Sequence, residues 1–185
     1  YGGNIHLLPE TSNDIQLNAE YRINSNTSYR LELFSTKISN LIEYDYYSEK
    51  MLNIGKASMQ GIQVGYKFNH EKYSIRADYI NQRAKNDIDK NDLLRRPKQS
   101  ITINIARELN KHHLGLSILA SDERKDFGVI LPGYAIVNLT GQFTISQNIT
   151  INAKIENLLD KKYETATNYK MQGQSVFFDI TYNWQ

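Results

Sequence analysis

An apolar residue stands at every second position in stretch after stretch of this chain, and such a row forms a strand with two unlike faces. The final stretch, "QSVFFDITYNWQ", shows it plainly. Val176, Phe178, Ile180, Tyr182 and Trp184 form one row; Ser175, Phe177, Asp179, Thr181, Asn183 and Gln185 form the other, polar except for Phe177. The same alternation carries Ile15, Leu17, Ala19, Tyr21 and Ile23, then Tyr29, Leu31 and Leu33, then Ile62, Val64, Tyr66 and Phe68. It returns at Tyr73, Ile75, Ala77 and Tyr79, at Ile101, Ile103 and Ile105, at Leu114, Leu116 and Ile118, and at Ile149, Ile151, Ala153 and Ile155. About nine strands are expected and no amphipathic helix, so the fold class is all-β.

The connections alternate in length. Tight turns are expected at 24–26, 69–71, 110–111 and 146–147, and longer loops at 45–50, 85–91, 122–132 and 159–172. In an antiparallel meander alternate connections lie at opposite ends of the sheet, so one end carries turns and the other carries loops. Transmembrane barrels have this asymmetry, whereas a sandwich mixes loop lengths and uses Greek-key crossings.

An apolar face looks inward at a protein core or outward at lipid. The polar rows hold Asn, Gln, Thr and Ser with charges of both signs (Glu20, Arg22, Arg30, Glu32, Arg76, Asp78, Lys154, Glu156), which suits a polar lumen or a wetted sheet face. Phe34, Ile80 and Leu119 stand on these rows and are expected near strand ends. A net charge of +2, with 22 basic and 20 acidic residues well mixed, gives no case for a nucleic-acid partner. Cysteine is absent, which excludes disulfides and thiolate metal sites. No apolar run reaches the ~20 residues of a membrane helix, and mean hydropathy is −0.56; a membrane barrel gives the same reading. The opening "YGGNIHLLPE" lacks a signal peptide, so a cytosolic protein or a missing upstream segment is expected. A soluble β-sandwich remains the second reading of the pattern.

The stretch "IENLLDKKYETATNYKMQGQSVFFDITYNW" resembles the C-terminal end of TonB-dependent outer-membrane receptors, whose N-L-[FL]-D-K-x-Y motif is matched by Asn157 to Tyr163. "LPETS", "NLIEYDYYSEKMLNIGKASMQGIQVGYKF" and "LLRRPKQSITINI" are similar to further family elements, in family order. "DKKYETATNYKMQG" with "DLLRRPKQ" looks most like the vitamin B12 (cobalamin) branch. The resemblance implies a transmembrane antiparallel β-barrel in the outer membrane of a Gram-negative bacterium. Residues 1–185 would form the C-terminal segment of a 22-stranded barrel, with plug domain and signal peptide upstream. It implies energy-coupled import of a scarce nutrient, with cobalamin expected and a ferric siderophore or haem as alternative. The implied partners are the ligand, TonB through the plug, lipid and the rest of the barrel; no enzyme activity and no cofactor are implied. Family members usually end on the aromatic residue, whereas here Gln185 follows Trp184.

Two residues match cobalamin-contact positions of that branch: Tyr169, whose ring can lie against a corrin edge, and Arg95, which can donate to amide or phosphate oxygens. Tyr182 and Trp184 are expected as an interface girdle. "DIDKND" has the start of a calcium loop, but position six is Asp92 rather than Gly and position twelve is Lys98 rather than Glu. His112 and His113 are adjacent, so on a strand they point to opposite faces and cannot share an ion. No metal or catalytic constellation is read.

Overall fold

The computed structural model describes residues 4–45 and 47–184, with the side chain of Ile54 excepted. Gln185, noted above as following the terminal aromatic residue, lies outside the described residues. Nine strands form one antiparallel sheet. They are β1 (Thr11–Arg22), β2 (Thr27–Asp45), β3 (Lys50–His70), β4 (Tyr73–Asn86), β5 (Gln99–Leu109), β6 (His112–Ser121), β9 (Tyr134–Thr144), β10 (Ile149–Glu156) and β13 (Ser175–Tyr182). Two small hairpins, β7 (Arg124–Asp126) with β8 (Val129–Leu131) and β11 (Glu164–Ala166) with β12 (Tyr169–Lys170), lie inside segments expected to be plain loops. Each long strand pairs with its next long neighbour in the chain, so the meander is uninterrupted.

Register decides what the two faces are, because a slip of one residue would exchange them. One rung runs across the sheet as Phe68↔Ile75↔Ile105↔Leu116↔Leu139↔Ile155↔Val176. Another runs Leu17↔Leu33↔Ile62. Every alternating apolar row thus falls on the same face. Among the described residues no second sheet packs against that face. Phe178 and Ile180 are 74% and 71% exposed, and among the described residues the buried apolar ones are Ala57, Ala84, Leu93 and Leu131. A sandwich would have buried these rows, so that second reading fails: a contiguous apolar face this large requires an apolar medium or partner.

The opposite face is polar, and its charges are matched across strands. Arg30 reaches over Gly65 to Asp78 on the far side of β3, Nη2 to Oδ1 3.1 Å, because glycine leaves the intervening rung position open. Lys154 pairs with Glu156 along β10. Phe34 and Ile80 do not mark strand ends, as expected, but lie well inside β2 and β4. Phe34 is admitted by a neighbour: a Cβ on Gly61 would meet the Phe34 ring at 2.7 Å, so the ring covers the gap glycine leaves. Leu119 is near the end of β6, as expected. β9 shows weak alternation in sequence because Gly141 interrupts its apolar row and Ile136 stands on the other.

The turn end is compact. Asn24 Oδ1 accepts the Asn26 and Thr27 amides, an Asx turn, while Glu71 and Asn110 take left-handed backbone at the next two turns. Aromatic residues crowd this end of the apolar face. Tyr29 lies 5.2 Å from Tyr66, Arg107 lies 5.0 Å over Tyr73, and Tyr182 packs edge-on against Trp184 at 4.7 Å. His112 turns to Phe143, and His113 approaches Glu108.

The loop end is taller. β2 and β3 have 19 and 21 residues, against the ~9–11 needed to cross a bilayer. The "LPE" element secures this extension. Glu10 accepts the Ile42 amide at 2.6 Å beside the bulge at Asn40, and Asn53 exchanges hydrogen bonds with both main-chain groups of Leu8.

Candidate ligand-facing site

Three loops meet above the sheet at its tall end. The segment after β4 folds back along its own strand: Leu93 N donates to Ala84 O, Asn86 N to Asn91 O and Gln82 N to Lys98 O. Leu93 thereby packs on Ala57 and Ala84, the small apolar core of this end. The carboxylates of "DIDKND" are taken up within the protein. Asp87 accepts the Ser58 hydroxyl, and Asp89 accepts the Asn91 amide.

The loop then turns at Arg95, which has φ 59°. Its main-chain N–H donates to Lys125 O at 2.8 Å, its Nε donates to Asp126 Oδ1 at 2.9 Å, and its guanidinium lies 5.2 Å over the Phe127 ring. Asp126 is fully buried. Its second oxygen accepts the Thr167 amide at 2.6 Å, so one carboxylate joins the loops after β4, β6 and β10. Lys125 pairs with Asp92 at 3.2 Å and strengthens the first of these joints. Beneath them, Arg124 donates to Ser121 Oγ and lies 4.9 Å over Tyr134, whose ring is 4.2 Å from that of Tyr163.

The N-L-L-D-K-K-Y motif shapes the third loop. Asn157 ends β10 in left-handed backbone (φ 49°), which asparagine tolerates well. Its amide nitrogen donates to Lys161 O and Gln172 O, its amide oxygen accepts Lys161 N–H, and its own N–H donates to Asn138 Oδ1. Asp160 Oδ1 then accepts the Gln174 amide and pairs with Lys162. Gly173 leaves room for this, since a Cβ would lie 2.5 Å from that oxygen and push the carboxylate aside. The motif therefore closes the neck of the loop, and its tip is fastened separately, through Thr167. Asn168 (φ 68°) turns the β11–β12 hairpin, and Tyr169 stands on it 70% exposed, two residues from the Thr167 anchor.

The structure thus places the two candidate ligand residues differently. Tyr169 projects from a fastened hairpin. Arg95, 44% exposed on its side chain, is held by Asp126. Sequence reasoning missed Asp126, Asp92 and Thr167, because their partners are 31 or more residues distant or on another loop.

The joint responds to pH in one direction. Burial alone would push the Asp126 carboxyl up, but the Thr167 amide and Arg95 outweigh it and hold the group below the ordinary carboxylate range. Lys125 lowers Asp92, and the Gln174 amide lowers Asp160. A carboxyl that ionises more easily in the docked loops stabilises docking fully above the ordinary value of ~4 and loses that contribution as pH falls through its lowered value. A spin label on the β11–β12 hairpin is expected to keep one mobility from pH 7 to 5 and to become mobile only below about pH 4.

Among known proteins, the profile of the "TonB dependent receptor-like, beta-barrel" family matches residues 1–158. Of the solved structures, the copper transporter OprC superposes with a TM-score of 0.80 at 16% identity, covering 97% of this chain and 32% of that one. The pyoverdine outer membrane receptor FpvA from Pseudomonas aeruginosa PAO1 gives 0.78 at 14% identity, covering 98% and 31%. The ferric-catecholate import receptor Fiu from E. coli gives 0.72 at 16% identity, covering 96% and 28%. The chain spans about a third of the length of these structures.

Proposed function

Because the chain belongs to the TonB-dependent receptor β-barrel family, we propose that it is the C-terminal portion of an outer-membrane receptor that imports a scarce nutrient. The observation that carries this reading is the unbroken apolar rung on one face with a polar, ion-paired face behind it. The apolar face meets lipid, with Tyr182 and Trp184 among the aromatic anchors at the periplasmic boundary. The two edges, β1 and β13, meet the remaining strands, since backbone groups left open in lipid cost several kcal/mol each. The fastened loops face outward to the medium and inward over the lumen. Transport breaks no bond; a plug pulled by TonB supplies the motion.

For the ligand we propose cobalamin. The "YETATNY" stretch carries the resemblance, and the loop charges agree with it. Basic and acidic residues balance over 45–50, 86–98, 122–133 and 157–174, and Arg95, Lys125, Lys98 and Lys162 already face carboxylates. That leaves an exposed aromatic rather than a free cationic cluster to meet a ligand, which suits a broad corrin better than an acidic chelate. A ferric siderophore is the second reading, because similar folds are named as ferric-catecholate and pyoverdine receptors. Equilibrium dialysis of the full-length receptor in detergent tests both. Cobalamin is expected to bind, and Tyr169→Ala to weaken it about tenfold, the value of an aromatic contact of ~1.4 kcal/mol. Binding of ferric chelates but not cobalamin by the same folded receptor would move the assignment to the second reading.

A further inference from the structure

Four cations stand together on the apolar side of the sheet, at the edge of its apolar band. Lys37, Ser58 and Lys85 are direct partners on β2, β3 and β4, so Lys37 and Lys85 lie ~10 Å apart across two strand spacings. Lys56 is two residues further along β3 and Arg83 two residues back along β4, on the same face. All four are exposed, and among the described residues none makes an ion pair. Asp87, the partner-strand neighbour beyond them, is already accepting the Ser58 hydroxyl.

Their height is the informative feature. Tyr29 belongs to the aromatic cluster at the turn end, and Lys37 is eight residues further along the same strand. That is ~26 Å of strand, or ~20 Å of height at a tilt of ~40°. Lys56 is one rung higher. An apolar barrel band is ~25 Å tall, so the four charges sit where hydrocarbon gives way to headgroups on the loop side. The Leu17↔Leu33↔Ile62 rung lies just below them. The cluster is local: the same-face rows of β5, β6, β9, β10 and β13 carry no Lys or Arg at this level.

We propose that this patch binds the phosphate groups of an outer-leaflet glycolipid, whose acyl chains lie on the apolar rung beneath. The inference rests on the lipid-facing reading above. A phosphorylated lipid matches both halves of the surface, charge over hydrocarbon, whereas an inorganic anion matches only one.

The test uses the full-length receptor in detergent with diphosphorylated lipid A as probe, read by native mass spectrometry. The wild type is expected to retain the lipid. The combined Lys37→Gln, Lys56→Gln, Arg83→Gln, Lys85→Gln variant is expected to retain at least about tenfold less, since each surface cation adds to the attraction toward anionic lipid. Lys72→Gln with Lys111→Gln, at the turns, is expected to leave lipid retention unchanged. Unchanged retention in the quadruple variant would overturn the proposal, as would equal retention of dephosphorylated lipid A or displacement by millimolar inorganic phosphate. Preserved ligand binding by the quadruple variant shows that the barrel is folded, so loss of lipid is separable from failure of the receptor reading.

Discussion

Replacing Asn157 by alanine is expected to destabilise the neck of the last loop by about 4 kcal/mol, from three lost hydrogen bonds at ~1 kcal/mol each and a left-handed backbone penalty of ~1 kcal/mol. The residue is 3% exposed, so water does not replace the lost partners. Three side-chain hydrogen bonds vanish, and the Lys161 amide together with the Lys161 and Gln172 carbonyls are left to find others. Asn157→Gly relieves the backbone penalty alone and is expected to fall between wild type and alanine. The temperature at which the folded receptor loses its compact mobility on a detergent gel measures the order. An alanine variant as stable as wild type would mean that the motif does not close the loop.

Removing Asp126 is expected to release the loops from one another. Asp126→Ala leaves the Thr167 amide without its acceptor and frees the Arg95 guanidinium, which is partly exposed and so regains water. The expected cost is about 2 kcal/mol for the orphaned amide and the lost charged hydrogen bond, with Asp126→Asn milder because one acceptor remains. Arg95→Ala is expected to be worse than either, since it strips the partner from a buried carboxylate. Trypsin cleavage at Lys161, Lys162 and Lys170 in intact cells reads all three, faster in the order Asn, Ala and then the Arg95 variant. This ordering also makes Tyr169→Ala the cleaner probe of ligand contact, because a change at Arg95 disturbs the loops before any ligand is involved.

The sheet was legible in the sequence because its signal is local. Each strand repeats the same period, and the tight turns sit where a short polar run breaks it, with Asn in three of the four. The strand interiors that departed from it were set by neighbours across the sheet: Phe34 depends on Gly61, and the Arg30–Asp78 pair depends on Gly65. The β11–β12 hairpin was hidden because its strands are two and three residues long. The loop joint at Asp126 was invisible for a different reason. Its chemistry, one carboxylate accepting from Arg95 and Thr167, is distributed over three separate loops and exists only once they meet. Arg95 was found by motif likeness, and the structure gives it a partner that the motif does not name.

The central claim is that the turns face the periplasm and the long loops face the medium, with lipid against the apolar rung between them. The chain contains no cysteine, so single cysteines placed in it report cleanly in a receptor cleared of cysteine elsewhere. Ser48→Cys, Lys90→Cys and Thr165→Cys on the loops, and Asn26→Cys, Lys72→Cys and Gln147→Cys on the turns, are to be treated in intact cells with a membrane-impermeant thiol reagent. The loop set is expected to label and the turn set to label only after the outer membrane is opened. Labelling of both sets in intact cells, or of the turn set alone, would contradict the account.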